Sequence, residues 1–142
     1  MIRSATADDL AAVRLIARAA YAPYVERLGF EPPPMIEDFA AALADLHVAG
    51  DPVKGYVLFR ERATDVLLEN VAVHPRAHGR GLGRAFIAYA EAAAHEAGKP
   101  VLLYTNAAMH ENRRLYPALG YRETDRRTEN GLDRIYYRKD KP

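Results

Sequence analysis

Three glycines alternate with larger residues in His78-Gly-Arg-Gly-Leu-Gly-Arg84, and residues of this kind at this spacing hold anions. Gly79, Gly81 and Gly83 carry no Cβ, so the chain can aim successive backbone N–H groups at one point. The apolar run Val66 to Val73 before the turn reads as a strand covered on both faces. After it, Leu82, Phe86, Ala90, Ala93 and Ala97 recur at helical spacing. A strand that breaks into such a turn and restarts as a helix offers an anion the helix's positive end. Arg80 and Arg84 stand in reach of the same anion and add charge-assisted bonds. A phosphate or pyrophosphate is the expected ligand.

Other sites that use these residue types do not fit. No G-K-[S/T] follows the glycines, which excludes a Walker A loop, and the G-x-G-x-x-G spacing of dinucleotide folds is absent. His74 and His78 are four apart, like metal ligands on a helix, but Pro75 and Gly79 place them in a strand-to-turn segment. Neither His95-Glu96 nor His110-Glu111 is followed by the second histidine of H-E-x-x-H. No metal is expected. The chain has no cysteine, which removes disulfides, cysteine zinc sites and a thiol nucleophile. Lys and Arg number 20 against 19 acidic residues, so no basic surface invites nucleic acid. The mixed charges from Arg122 to Lys141 read as a solvated strand surface. No apolar stretch approaches the roughly 18 residues of a membrane span, and the N-terminus lacks a signal-peptide apolar region. A cytoplasmic protein with no membrane partner is expected.

The elements that must position these residues can be read along the chain. At 142 residues, one domain over 1–142 is expected. Met1 to Ala5 reads as a strand, and Thr6 with Asp9 reads as a capping box that starts a helix through Leu10, Val13, Ile16 and Ala20. Tyr21 to Met35, with Tyr21, Tyr24, Phe30 and Pro32 to Pro34, reads as an irregular, proline-braced loop of the kind that lines pockets. An alanine-rich helix is expected from Met35 to Leu46. Gly50-Asp-Pro52 turns between two strands, the second Val53 to Arg60, and Asp65 to Val73 comes next as a strand interrupted by the polar Glu69 and Asn70. Gly98 ends the helix after the glycine turn. A strand over Pro100 to Tyr104, a helix over Met109 to Leu119, and a hairpin turning at Asn130-Gly131 complete the order. The order β-α-α-β-β-β-α-β-α-β-β predicts an α/β (α+β) three-layer fold, a mixed sheet with helices on both faces.

Two separated motifs carry a resemblance that covers nearly the whole chain. It resembles the GCN5-related N-acetyltransferases, the GNAT superfamily, which implies that the mixed central sheet is mostly antiparallel. Their acetyl-CoA signature Q/R-x-x-G-x-G/A is matched by His78-Gly-Arg-Gly81-Leu-Gly83, with histidine at the first position. A second signature is matched by Asn112-Arg-Arg-Leu-Tyr116-Pro-Ala-Leu-Gly120-Tyr121. The resemblance implies direct acetyl transfer from acetyl-CoA to a primary amine, with no acyl-enzyme. It implies a pantetheine arm lying along the strand at Val71 and Val73, and a pyrophosphate over Gly79 to Arg84, including His78.

The same resemblance gives roles to other side chains. Tyr116 takes the general-acid position, protonating the departing thiolate, and a phenol is a suitable donor. Pro117 beside it bends the helix or ends it. Asn112 holds the CoA arm, with Asn106 as the competing choice. Glu69 is the candidate base that accepts the amine's proton, with His74 and Tyr104 as substitutes; its plainer role is a carboxylate paired with an arginine. Tyr21, Tyr24, Phe30 and Met35 are expected around the amine. The acceptor is then a small-molecule amine or amino acid, or alternatively a peptide, as a protein N-terminus or lysine. A CoA-binding regulatory domain without turnover is the reading from another class, and a homodimer is compatible with the sequence.

Overall fold

A computed structural model describes residues 1–140; Lys141, the last charge of the Arg122 to Lys141 run, lies outside the described residues. Strand β1 (Ile2–Ser4) leads into the capping box read from the sequence. Asp9 Oδ2 accepts the Thr6 backbone N–H at 2.8 Å, and Arg3 clamps the same carboxylate through both terminal nitrogens at 2.8 and 2.9 Å. Helix α1 starts at once and spans Leu10–Leu28. It is longer than the sequence suggested, because Pro23 lies inside it and the stretch expected as loop from Tyr21 to Leu28 is helical. Proline fixes φ near its helical value and forfeits one N–H bond, a loss the packed helix absorbs.

The helix expected over Met35 to Leu46 does not form. Pro33–Ile36 and Leu43–Asp45 each make a single 3-10 turn. Asp38 diverts the Ala41 N–H into a side-chain turn at 3.1 Å that competes with the helical bond. Buried Phe39 and Ala42 pin it to the α1 face instead.

The remaining elements are β2 (Leu46–Ala49), β3 (Gly55–Glu61), β4 (Val66–Val73), α2 (Leu82–Glu96), β5 (Val101–Asn106), α3 (His110–Ala118), β6 (Arg122–Glu129) and β7 (Leu132–Lys139). The seven strands form one sheet in the order β1-β2-β3-β4-β5-β7-β6. All neighbours are antiparallel except β4 and β5. One apolar cluster joins the sheet to α1, and another joins the opposite face to α2 and to Leu115 and Tyr116 of α3. The fold is thus the expected mixed sheet with helices on both faces. Asn130 and Gly131, with φ of 52° and 78°, make the two-residue turn of the β6–β7 hairpin.

Two irregularities of β4 shape the space beside it. Its parallel pairing with β5 lasts only through Val66↔Val101 and Leu67↔Leu102, after which a gap opens between the strands. Against β3, Leu58 pairs with Asn70 but Phe59 with Leu68, so Glu69 is an extra, bulged residue. The bulge changes the alternation of side chains. Leu68 packs in the α2 cluster, and beyond the bulge Val71 and Val73 do too, leaving Ala72 on the α1 side. Gly55 lets α2 settle on β3: a Cβ there would stand 2.8 Å from Phe86 Cε2 and 2.9 Å from the Ala72 carbonyl oxygen.

Candidate active site

The open edge of β4 has polar backbone to offer. The His74 N–H donates to the Lys54 carbonyl at 2.8 Å. With the β3 register, the antiparallel alternation then turns the N–H and C=O groups of Val71 and Val73 away from β3 and into the gap. Both carbonyls are engaged. The Tyr21 hydroxyl donates to Val71 O at 3.1 Å, and His78 Nε2 lies 2.9 Å from Val73 O. The two N–H groups face the gap, which is the pattern an extended polar arm needs to bind as an added strand.

His78 therefore ties the glycine turn back to the strand; its ring is directed at the protein backbone and not at an anion over the turn. His74 is also engaged, its Nδ1 accepting the Arg76 N–H at 3.1 Å to cap the turn at Pro75–Ala77. Gly79 and Gly81 have φ of 80° and 76°, the left-handed region that side chains disfavour, and Gly81 is the residue from which α2 starts. Gly83 differs. A Cβ there would meet only Val73 Cγ2, at an ordinary 3.8 Å, so the fold itself does not require that glycine.

A groove of about 520 Å³ runs past this turn. Val71, Val73, His78, Gly79, Gly81, Gly83, Arg84, Asn112 and Tyr116 all border it, whereas Arg80 does not. A second cavity of about 120 Å³ lies beyond, under Phe30 and Pro32 to Pro34 and against Glu69, Tyr104 and Arg134. Tyr21, Val71, Met109, Asn112 and Tyr116 border both spaces. The junction is thus where chemistry between two ligands would occur.

Tyr116 reaches that junction from α3. It is buried against Tyr121 and Tyr137, with ring centroids 5.8 and 5.9 Å away, and burial pushes its phenol up to about 12. Among the described residues its hydroxyl has no hydrogen-bond partner. Pro117 does not end the helix, which continues to Ala118. Asn112, one turn earlier, donates Nδ2–H to Thr105 Oγ1 at 3.0 Å and borders both spaces. Asn106 borders only the smaller cavity, and its Oδ1 accepts the Ala108 N–H at 2.9 Å.

Glu69 is carried into the cavity wall by the bulge. Its Oε2 accepts Arg60 Nε–H at 2.6 Å, and Arg60 also bonds Asp45 at 3.3 Å, so the carboxylate is held in place. The aromatic residues divide. Tyr21 borders both spaces, Tyr24 the groove and Phe30 the cavity, but Met35, in the 3-10 turn Pro33–Ile36, borders neither. Burial raises the Tyr21 phenol, keeping it a donor. Arg27 joins the end of α1 to the start of α3, donating to both carboxylate oxygens of Glu111 at 3.1 Å and to Ala108 O at 3.2 Å.

Sequence reasoning overlooked several residues. Asn70 is buried, and its Oδ1 accepts the Tyr56 hydroxyl at 3.0 Å and faces that of Tyr21 at 3.4 Å. An amide in an apolar strand was the available signal. Glu37, Met109 and Arg134 gave none, since only the folded chain brings them to the cavity. Among the described residues no group of three or more His, Asp or Glu is placed to hold a metal, and no helix is long and apolar enough to cross a membrane.

A family model for the acetyltransferase (GNAT) domain matches residues 39–123. The structure is similar to the ribosomal-protein-S18-alanine N-acetyltransferase from Escherichia coli, with a TM-score of 0.79 and 21% identity, covering 98% of this chain and 92% of that one. It is also similar to Ard1 from Thermoplasma volcanium, with a TM-score of 0.78, 17% identity and coverage of 100% and 97%. The PaiA N-acetyltransferase from Thermoplasma acidophilum, solved in complex with coenzyme A, has a TM-score of 0.74, 16% identity and coverage of 100% and 98%. A search of curated proteins returned no match.

Proposed function

The chain belongs to the GNAT acetyltransferases, and from that membership we propose that it transfers the acetyl group of acetyl-CoA to the primary amine of a small acceptor. One observation carries the reading: a long groove beside the glycine turn and a small cavity share a junction bordered by Tyr116. The residues fit the cofactor. Gly83 lacks a Cβ for which the protein has room, the N–H groups of Val71 and Val73 face the groove, and Arg84 stands at the positive end of α2. Bound acetyl-CoA supplies an activated thioester.

The chain's own residues then govern the proton traffic. An alkyl ammonium with a pKa of about 10 must lose a proton before its nitrogen can attack. Glu69, fixed by Arg60, is the acceptor for that proton through water. As the new N–C bond forms and the C–S bond breaks, the Tyr116 hydroxyl donates its proton to the departing sulfur. Its raised pKa keeps that proton available at neutral pH. Asn112 and the Val71 and Val73 amides position the arm. The small cavity roofed by Pro32 to Pro34 suits a compact acceptor better than a peptide.

The test is thiol release from acetyl-CoA across amines, amino acids and peptides. Turnover with small amines supports the reading. Intact acetyl-CoA binding without turnover for any acceptor overturns it in favour of a CoA-binding regulatory domain. Preference for peptides overturns the small acceptor in favour of protein N-terminal or lysine acetylation.

A further inference from the structure

Arg134 on β7 borders the small cavity, and its side chain is only 18% exposed. Its guanidinium stacks over Tyr104, 4.4 Å from the ring centroid. It reaches the Tyr136 hydroxyl but makes no hydrogen bond to a carboxylate; Glu129, its ion-pair partner, is 3.9 Å away, beyond hydrogen-bond reach. Every other arginine of the described residues is either exposed or hydrogen-bonded to a carboxylate. A largely buried guanidinium that borders a cavity and keeps donors beyond the one Tyr136 takes is a seat for an anion.

The surroundings narrow the anion. A planar fork stacked on an aromatic ring matches a carboxylate through two parallel bonds. A phosphate dianion would face Glu37 and Glu69 in the same small cavity, at a cost in like-charge repulsion. Those two carboxylates favour an ammonium. Arg134 and Glu69 sit on β7 and β4 with β5 between them, so the cavity is positive at one side and negative at the other.

Resting on the acetyl-transfer reading above, we propose that the acceptor is a free amino acid seated in the small cavity, its carboxylate held by Arg134 and its amine on the side of Glu37 and Glu69. The cavity presents both charges of one zwitterion, with Tyr104 lining it beneath Arg134.

The experiment pairs each of several α-, β- and γ-amino acids with its decarboxylated amine and with its carboxamide. For the wild-type enzyme, kcat/KM for the best amino acid should exceed that for its decarboxylated partner by at least about tenfold, the scale of a charge-assisted pair. Arg134→Gln should raise KM for the amino acid by about 10- to 100-fold and bring the ratio near one, with Arg134→Lys in between. Calorimetry gives a readout besides turnover: the N-acetyl amino acid should bind the wild-type protein with CoA present and lose affinity in Arg134→Gln. Equal rates for an amino acid and its decarboxylated amine overturn the proposal while leaving acetyl transfer intact. No transfer to any amine in either series overturns the acetyl-transfer reading and this proposal with it. Should Arg134→Gln fail to fold, the wild-type comparison alone decides.

Discussion

Tyr116 and Glu69 are prepared for opposite tasks by their surroundings. Tyr116 is buried among aromatic rings with its hydroxyl unengaged, so the phenol holds its proton until about 12. A group raised in this way stays in the acid form at every lower pH, and kcat should therefore show no alkaline fall up to roughly pH 10. Tyr116→Phe should lower kcat about 100-fold, the scale of general-acid catalysis, and change acetyl-CoA affinity by less than about threefold. Single-turnover acetyl transfer and equilibrium binding measure the two separately; unchanged kcat would remove Tyr116 from the chemistry. Glu69 is locked to Arg60 at 2.6 Å. Its plainer role as a paired carboxylate and its role as base are therefore compatible, and Glu69→Gln distinguishes them through the acid limb of the pH–rate profile. That Tyr116 and Glu69 stand at the cavity was legible in the sequence, the first through the family motif and the second as a carboxylate in an apolar strand. Arg134 was not, since an arginine in a charged hairpin looks like solvated surface until its ring partner and cavity are known.

At the level of elements, two glycines differ in what they serve. Gly55 serves packing, with Phe86 Cε2 2.8 Å from the position of its absent Cβ. Gly55→Ala should cost about 1–3 kcal/mol in urea unfolding, the range for overpacking a close helix–strand contact. Gly83 serves the groove, where a Cβ would meet only Val73 at 3.8 Å. Gly83→Val should unfold at nearly the wild-type urea midpoint yet bind acetyl-CoA at least about tenfold more weakly, a loss of roughly 1.4 kcal/mol. Normal binding by that variant would place the pyrophosphate elsewhere. The strand–turn–helix unit around these residues was legible because glycine spacing and apolar periodicity agree there. The stretch from Tyr21 to Leu46 was misread in both directions. Prolines suggested loop where α1 continues through Pro23, and alanines suggested helix where Asp38 and the triple proline leave two isolated turns. Local propensity was overruled in the first case by burial of the Tyr21 face, and in the second by competing turn bonds.

Across the molecule as a whole, stability should respond to acid through the first turn. The Arg3 guanidinium and the Thr6 amide hold the Asp9 carboxyl down at about 2. A carboxylate lowered on folding stabilises the native state above its unfolded value, near 4, and that stabilisation is lost as pH falls toward 2. Asp9→Asn should therefore lower stability by about 1 kcal/mol at neutral pH, reduced by the exposure of Arg3, with the difference vanishing near pH 2. Thermal unfolding of both proteins across pH measures it. The layered architecture was legible from element order alone, but the parting of β4 from β5 was not, because strand register is a property of the assembled sheet.

That parting also sets traffic rules. The groove lies along the glycine turn and the cavity under Pro32 to Pro34, and they meet only around Tyr21, Val71, Met109, Asn112 and Tyr116. Two spaces joined at one junction let both co-substrates be seated at the same time. Double-reciprocal plots at several acceptor concentrations should accordingly intersect; parallel lines, the mark of a chain that carries the acetyl group between two separate visits, would contradict it.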